Sequence, residues 1–418
     1  MTTTPTGDFP SDVARMDHPG LQSDPFETSE RRALAELAVK FTRTEIAPNM
    51  PEWESAGRIP RELHRKAADL GLLGLGVAEE FGGSGGDLVD VTILTESLLA
   101  GGGSGGIVAG LMTHGIALPH VLDAAARHAE AGRATTAARL QSELIAPVLA
   151  GQSICALGVT EPDGGSDVGA LRTRAEPTES GWRINGTKTY ITSGARADFV
   201  VVAAAVSEYA ASGAAGVSLF VVPTDSPGFT VVREFEKMGW HCSDTAELAL
   251  VNVEIPDDYA LTSGPGGGFT SLAKHFAVER LSLATTAYAT AARALDLTLD
   301  WVRQRETFGR PLVARQVVRH TLVEMHRQVE VAKAYTRGIA TRAATGGYEG
   351  LPLDAVLAKD TAVQTCEFVV DQAVQLHGGY GFMRDSEVER HYRDARVLGI
   401  GGGATEVMTD LAARLMGL

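Results

Sequence analysis

Residues 153–192 read SICALGVTEPDGGSDVGALRTRAEPTESGWRINGTKTYIT, and the chain changes its period there. The run 182–191 is strand-like on both sides of Asn185-Gly186, the dipeptide that suits a two-residue turn. Two short strands joined in a hairpin are expected. Further β-rich runs follow at 199–206, 217–222, 229–232 and 247–255, punctuated by Pro223, Pro227 and Pro256. Short strands at this spacing predict a small β-barrel or sandwich over residues 151–268.

On either side the period is helical. Leu34, Leu37, Ala38, Phe41 and Ile46 recur at three- and four-residue steps, and Pro48 closes that helix. A second helix is expected over 60–70 with Gly71 as its C-cap, then a loop at 81–86 (FGGSGG). Helices over 88–99, up to about 131, and over 135–149 complete an all-helical domain at 26–150. Residues 1–25 read as a disordered arm. After Gly268, long helical patterns cover 271–303 and 316–345, and Ala362, Cys366, Val369, Ala373 and Leu376 form one stripe. Residues 387–396 and 406–416 follow, so 269–418 reads as a C-terminal four-helix bundle domain. Helices, strands, then helices make an α+β chain of three domains.

Composition narrows the function. The 418 residues carry 37 Lys+Arg against 52 Asp+Glu, a net charge of −15, with 44% hydrophobic and 21% charged residues. Such an acidic chain lacks the basic face of a nucleic-acid binder. Its three cysteines, Cys155, Cys242 and Cys366, form no CxxC pair, and the eleven histidines show no ligand spacing, so no metal site or disulfide frame is expected. Buried thiols in a reduced compartment are the expectation. The N-terminus lacks the basic and apolar regions of a signal peptide, and no apolar run reads as a membrane span; a soluble, cytoplasmic protein is expected.

The glycine-rich run 158–167, GVTEPDGGSD, suits backbone approach to an anion or a ring edge. VTEPDGGSD resembles the TEPxxGSD motif of the acyl-CoA dehydrogenase family. So do five later blocks in the family's order: GTKTYITS at 186–193, KMG at 237–239, RETFGRP at 305–311, QLHGGYG at 375–381, and RDAR at 393–396 followed by IGGG at 400–403. The resemblance spans 26–418. It implies an FAD enzyme, usually a homotetramer, that removes hydrogens from Cα and Cβ of an acyl-CoA thioester and passes electrons to an electron-transfer flavoprotein.

The resemblance also implies roles. Val159, Thr160, Tyr190 (where Trp is usual) and Thr192 would meet the flavin ring. Ser166 would sit at the pyrophosphate or the substrate's pantetheine. Arg305, Phe308, Gln316, Gln375, Gly378 and Gly379 would hold the FAD of a neighbouring subunit, and Thr405 and Glu406 fall at cofactor contacts. Many members carry the catalytic Glu where this chain has Gly402. In a branch resembling isovaleryl- and long-chain acyl-CoA dehydrogenases the Glu precedes an Arg in the first long C-terminal helix, and Glu279-Arg280 matches it. Glu279 is thus the expected base, Arg280 a substrate neighbour, and the Gly402 N–H a donor to the thioester carbonyl. Glu406 and Asp394 are weaker bases. Ala277 replaces a pantetheine-contacting Asp, which keeps a carrier-protein thioester open as the substrate; a flavin-binding scaffold without activity is the other alternative. Residues 101–114, GGGSGGIVAGLMTH, match the floor of the acyl pocket; their small side chains, Gly110 among them, predict room for a medium, long or branched chain.

Overall fold

A computed structural model describes residues 24–262 and 267–418. Most of the expected arm lies outside them, but its end does not: Asp24 accepts from the Phe26 amide at 3.0 Å, and Phe26 is buried beneath the Arg337 guanidinium. The helical domain contains α1 (Ser29–Phe41), α2 (Met50–Ala56), α3 (Arg61–Asp69), α4 (Leu88–Ala100), α5 (Gly105–Leu111), α6 (His114–Glu130), α7 (Ala134–Leu140) and α8 (Ala146–Leu149). Gly71 has φ +75°, as the end of α3 requires. Asp87 and Asp90 form a capping box on α4, and Arg31 from α1 bridges both carboxylates at 2.8 and 2.9 Å. The stretch Gly105–Glu130 is apolar and long enough to cross a membrane, yet 61% of its window is buried in the protein. A core helix pair passes the same test.

The middle domain is a seven-stranded sheet of β1 (Cys155–Gly158), β2 (Arg174–Pro177), β3 (Gly181–Thr192), β4 (Phe199–Val206), β5 (Val217–Pro223), β6 (Phe229–Glu234) and β7 (Thr245–Pro256). The order is β1-β4-β2-β3-β7-β6, with β5 also on β4. Every residue of β4 is buried, as its unbroken apolar run demands. The hairpin expected at Asn185-Gly186 does not form. β3 runs straight through the dipeptide, and its pairing with β7 shifts register between Ile184 and Gly186. The pair makes a bulge instead. Gly186 has φ +156°, a Cβ there would lie 2.7 Å from Thr173 Cα, and Asn185 Oδ1 accepts from the Asn252 amide at 2.7 Å.

The C-terminal domain contains α9 (Gly267–Gln304), α10 (Gln316–Ala344), α11 (Leu351–His377), α12 (Glu387–Ala395) and α13 (Thr405–Leu415). Ala284, Ala287, Ala291 and Ala294 on α9 and Ala355, Ala358, Ala362, Cys366 and Ala373 on α11 share one buried core. Small side chains let the two long axes approach closely. All three cysteines are free and buried. Asp394 ties the domains together: its buried carboxylate accepts from the Trp240 amide at 2.6 Å and the Gly106 amide at 3.3 Å. That is a structural task rather than a base's.

Candidate active site

The site grows from two places where glycine-rich chain is held by charge. At the end of β1, Glu161 is buried in the loop that follows the strand. Its carboxylate accepts from the Arg172 and Thr173 amides at 2.6 and 2.9 Å and from Lys188 Nζ at 2.7 Å. Lys188, fully buried on β3, also donates to the Val159 carbonyl at 3.0 Å. Burial pushes the Glu161 carboxyl up, but Lys188 and the two amides more than offset it and hold it below its usual value. This lock fixes Val159, which is buried, and Thr160, which is partly exposed. Thr160 O accepts from Thr189 N at 2.9 Å, so the loop lies along β3 just before Tyr190. Tyr190 has φ +59° and is 66% exposed, against Phe235; Thr192 is partly exposed and Ser166 fully so. An uncovered ring flanked by hydroxyls and a glycine loop fits a flat heteroaromatic cofactor with polar edges. Ser193 takes φ +59° and bonds Thr113 at 2.8 Å. A neighbouring buried pair, Arg196 to Asp244 at 2.6 Å, anchors the same turn to Ile59 O.

The second place lies between α9 and the turn before α13. Gly402 and Gly403 have φ +67° and +105°. Arg280 Nε donates to Gly402 O at 3.2 Å, and Lys359 Nζ from α11 donates to Gly403 O at 2.5 Å. Glu279 is thereby brought to the same turn as Gly402, in a partly buried position. Burial pushes its carboxyl up to about 6, against the lowering pull of Arg280 and Lys359. Leu283 stands against position 402: a Cβ on residue 402 would lie 2.3 Å from Leu283 Cδ1. Leu283 stands one turn beyond Glu279 on α9, so the two residues share one face of the helix. Glu406 is exposed at the start of α13, next to the partly buried Thr405.

The remaining predicted residues gather elsewhere. Arg305, Phe308, Gln316, Gln375, Gly378 and Gly379 are all exposed, at the far end of α9 and the adjoining ends of α10 and α11. Trp301 stacks with His377 and Tyr380 there, with centroids 5.0 and 5.3 Å apart. Twenty-six residues of α9 separate this group from Glu279, about 40 Å at 1.5 Å per residue. The open acyl floor fails. Residues 101–106 are buried, and their missing Cβ atoms would strike Thr42, Leu98 O, Trp240 and Cys242 at 2.5–2.8 Å for Gly101, Gly103, Gly105 and Gly106. A Cβ on Gly110 would lie 3.3 Å from Ile59 Cδ1 and 3.5 Å from Ser243 Cβ. These glycines serve close packing, not a cavity. Sequence reading missed Lys188, Glu161, Arg196, Asp244 and Lys359. The first two stand inside quoted motifs, which was the available signal.

A helical domain, a β-sheet domain and a helical bundle, with glycine turns at an uncovered ring and beside the partly buried Glu279, make a class of fold with a site suited to a flat cofactor. The comparisons narrow that class. The models for the acyl-CoA dehydrogenase N-terminal, middle and C-terminal domains match residues 28–128, 156–253 and 266–417. The chain is 35% identical over 389 residues to the mitochondrial long-chain specific acyl-CoA dehydrogenase of Rattus norvegicus, covering 93% of this chain and 86% of that one. A crystal structure of a probable acyl-CoA dehydrogenase from Mycobacterium abscessus superposes with TM-score 0.87 at 50% identity, covering 94% of this chain and 100% of that one. A Mycobacterium smegmatis glutaryl-CoA dehydrogenase in complex with FADH2 superposes with TM-score 0.83 at 25% identity, over 95% and 97%. The chain belongs to the acyl-CoA dehydrogenase family, as an FAD-binding oxidoreductase acting on acyl-CoA.

Proposed function

We propose that this enzyme dehydrogenates an acyl-CoA thioester across Cα–Cβ to the trans-2-enoyl-CoA, with Glu279 as the base and an electron-transfer flavoprotein as acceptor. The observation that carries the reading is Glu279 beside a turn where Leu283 leaves no space for a side chain at 402. Val159, Thr160, Tyr190 and Thr192 would hold the flavin ring, and Ser166 the pyrophosphate or pantetheine side. Bound FAD supplies the hydride acceptor. Glu279 Oε takes the α-proton, and a carboxyl poised near 6 is ionised at neutral pH yet basic enough to accept it. The Gly402 N–H bonds the thioester oxygen and stabilises the charge that develops there. Arg280 orders that turn.

Arg305, Phe308, Gln316, Gln375, Gly378 and Gly379 serve the cofactor of a second subunit, which the 40 Å separation along α9 supports. Exposed Phe308, Phe382 and Val317, at 96%, 77% and 69%, fit a covered face in a homotetramer. The packed glycines of residues 101–106 give no volume argument, so a long or branched acyl group rests on the position of Glu279 and on the long-chain relatives. Ala277 is buried and offers no polar atom to a pantetheine arm; CoA and carrier-protein thioesters share that arm, so a carrier-tethered thioester stays the second reading. One experiment separates these. Purified holoenzyme is mixed anaerobically with C4 to C16 and branched acyl-CoAs and with acyl-carrier protein, and flavin bleaching is followed. Bleaching by long or branched acyl-CoAs is expected; bleaching by the carrier form alone, or by none, overturns the reading.

A further inference from the structure

Lys359 has no part in the chemistry so far. It lies on α11 after the apolar run 355–358 and beside Asp360, is 0% exposed, and makes no ion pair within 4 Å among the described residues. A buried ammonium without a contacting carboxylate is costly, so its place calls for a reason. Burial lowers it to about 8.

Its surroundings supply the reason. Lys359 Nζ donates to Gly403 O, Arg280 Nε donates to Gly402 O, and Lys359 Cε lies 3.9 Å from the place of a Cβ on Gly402. The two clamped carbonyls belong to the peptide planes on either side of Gly403. Two successive left-handed glycines have little stiffness of their own. Charge-assisted bonds to both carbonyls are what hold this turn in one shape. Beside them stands Glu279, whose carboxylate feels Arg280 from its own helix and Lys359 from α11. Asp360, Arg280 and Glu279 act in turn on Lys359, and Glu406 from α13 acts on Asp360.

We propose that Lys359 is a positioning residue for the dehydrogenation: its ammonium clamps the Gly402–Gly403 turn beside Glu279 and so couples that turn to the carboxylate. This rests on Glu279 being the base, and the test separates the two ideas. The clamp acts on the turn that meets the thioester oxygen, and the charge acts on the group that takes the proton. One side chain thus couples the two.

The test uses holoenzyme with Lys359→Met, which removes bond and charge; Lys359→Gln, which keeps a donor but no charge; and Lys359→Arg, which keeps the charge. The ionisation of Glu279 is read as its infrared carboxylate band, by difference against Glu279→Gln, and the acid limb of kcat/KM is read beside it. Lys359→Met and Lys359→Gln should both raise the titration midpoint by about one pH unit or more, with Lys359→Arg near the parent. Lys359→Met should lose more kcat than Lys359→Gln, with little change in KM. A folded Lys359→Met or Lys359→Gln with an unmoved midpoint overturns the proposal, as does an equal kcat in the two. If neither folds, the reciprocal measurement decides: Glu279→Gln should lower the Lys359 midpoint, read by ¹³C NMR of Cε-labelled lysine against Lys359→Arg, and an unchanged midpoint overturns it. Should Glu279→Gln retain full turnover while the midpoints remain coupled, the base assignment fails and the coupling of Lys359 to Glu279 stands.

Discussion

Two lysines are fully buried in this protein, and both are lowered to about 8 by burial. Lys188 meets a carboxylate at 2.7 Å that two backbone amides also satisfy. Lys359 bonds only a carbonyl, and the two carboxylates it acts on, Asp360 and Glu279, are both pushed up by burial, Glu279 to about 6. The first is a closed network, in which charge holds a cofactor loop to a strand. The second is an open one, in which a carboxylate is left incompletely satisfied and therefore basic. Enzymes keep such imbalance where chemistry needs a poised group.

The comparison breaks most directly at Glu279. Glu279→Gln should lower turnover by roughly 10²–10⁴-fold while FAD content and helicity are unchanged, since the amide is nearly isosteric. Steady-state rates and the flavin spectrum check this, and parent-like turnover would place the base elsewhere. The closed network should fail differently. Lys188→Met leaves Glu161 buried without its cation, at a cost of about 3–5 kcal/mol. Denaturant melts should show that loss, with FAD released early because the loop carrying Thr160 is freed. A double variant, Lys188→Met with Glu161→Gln, which removes the charge but keeps an oxygen to accept from the Arg172 or Thr173 amide, should recover part of the stability; if the single variant melts like the parent, the lock is not structural.

Smaller effects sharpen the contrast at the turn. Gly402→Ala puts a Cβ at φ +67° and 2.3 Å from Leu283 Cδ1. The left-handed conformation costs about 1–2 kcal/mol, and Leu283 must rotate away. The melting midpoint should fall modestly while kcat falls more than KM rises. A change in KM alone would detach this turn from the reacting carbonyl.

Much of the architecture is legible in the sequence because it rests on periodicity. The change of period near residue 153 and its return after Gly268 reflect which faces are buried. Asn185-Gly186 misled because its turn preference is local, whereas pairing with β7 and the close approach of Thr173 decided the outcome. The glycines of residues 101–106 misled because absence of a side chain means either empty space or a close neighbour, and the neighbours that tell which run from Leu98 and Thr42 to the distant Trp240 and Cys242. The candidacy of Glu279 as the base was legible through its Arg280 neighbour and the missing Glu at 402. Lys359 was not, since a lysine in a helix ordinarily reads as a solvent-facing charge.

The least effect expected is a pH-dependent stability, and it has opposite signs in the two networks. Glu161 is held below its usual value, so its contribution is present at neutral pH and lost on acidification. Glu279 is raised from 4.5 to about 6. Between those values the folded protein binds the proton more tightly than the unfolded chain. Its contribution is therefore full below about pH 4.5 and lost as pH rises through about 6. Gln does not titrate, so Glu279→Gln escapes this loss. The stability of the variant relative to the parent should rise with pH across that window. The rise is at most about 2 kcal/mol, because each tenfold change in proton affinity is worth about 1.4 kcal/mol. Denaturant melts of both proteins at equal concentration, at pH 4.5 and pH 8, measure it. The less active variant should gain stability on the alkaline side; a difference that is flat in pH would mean that Glu279 is not strained by burial, and that the open network is no more poised than the closed one.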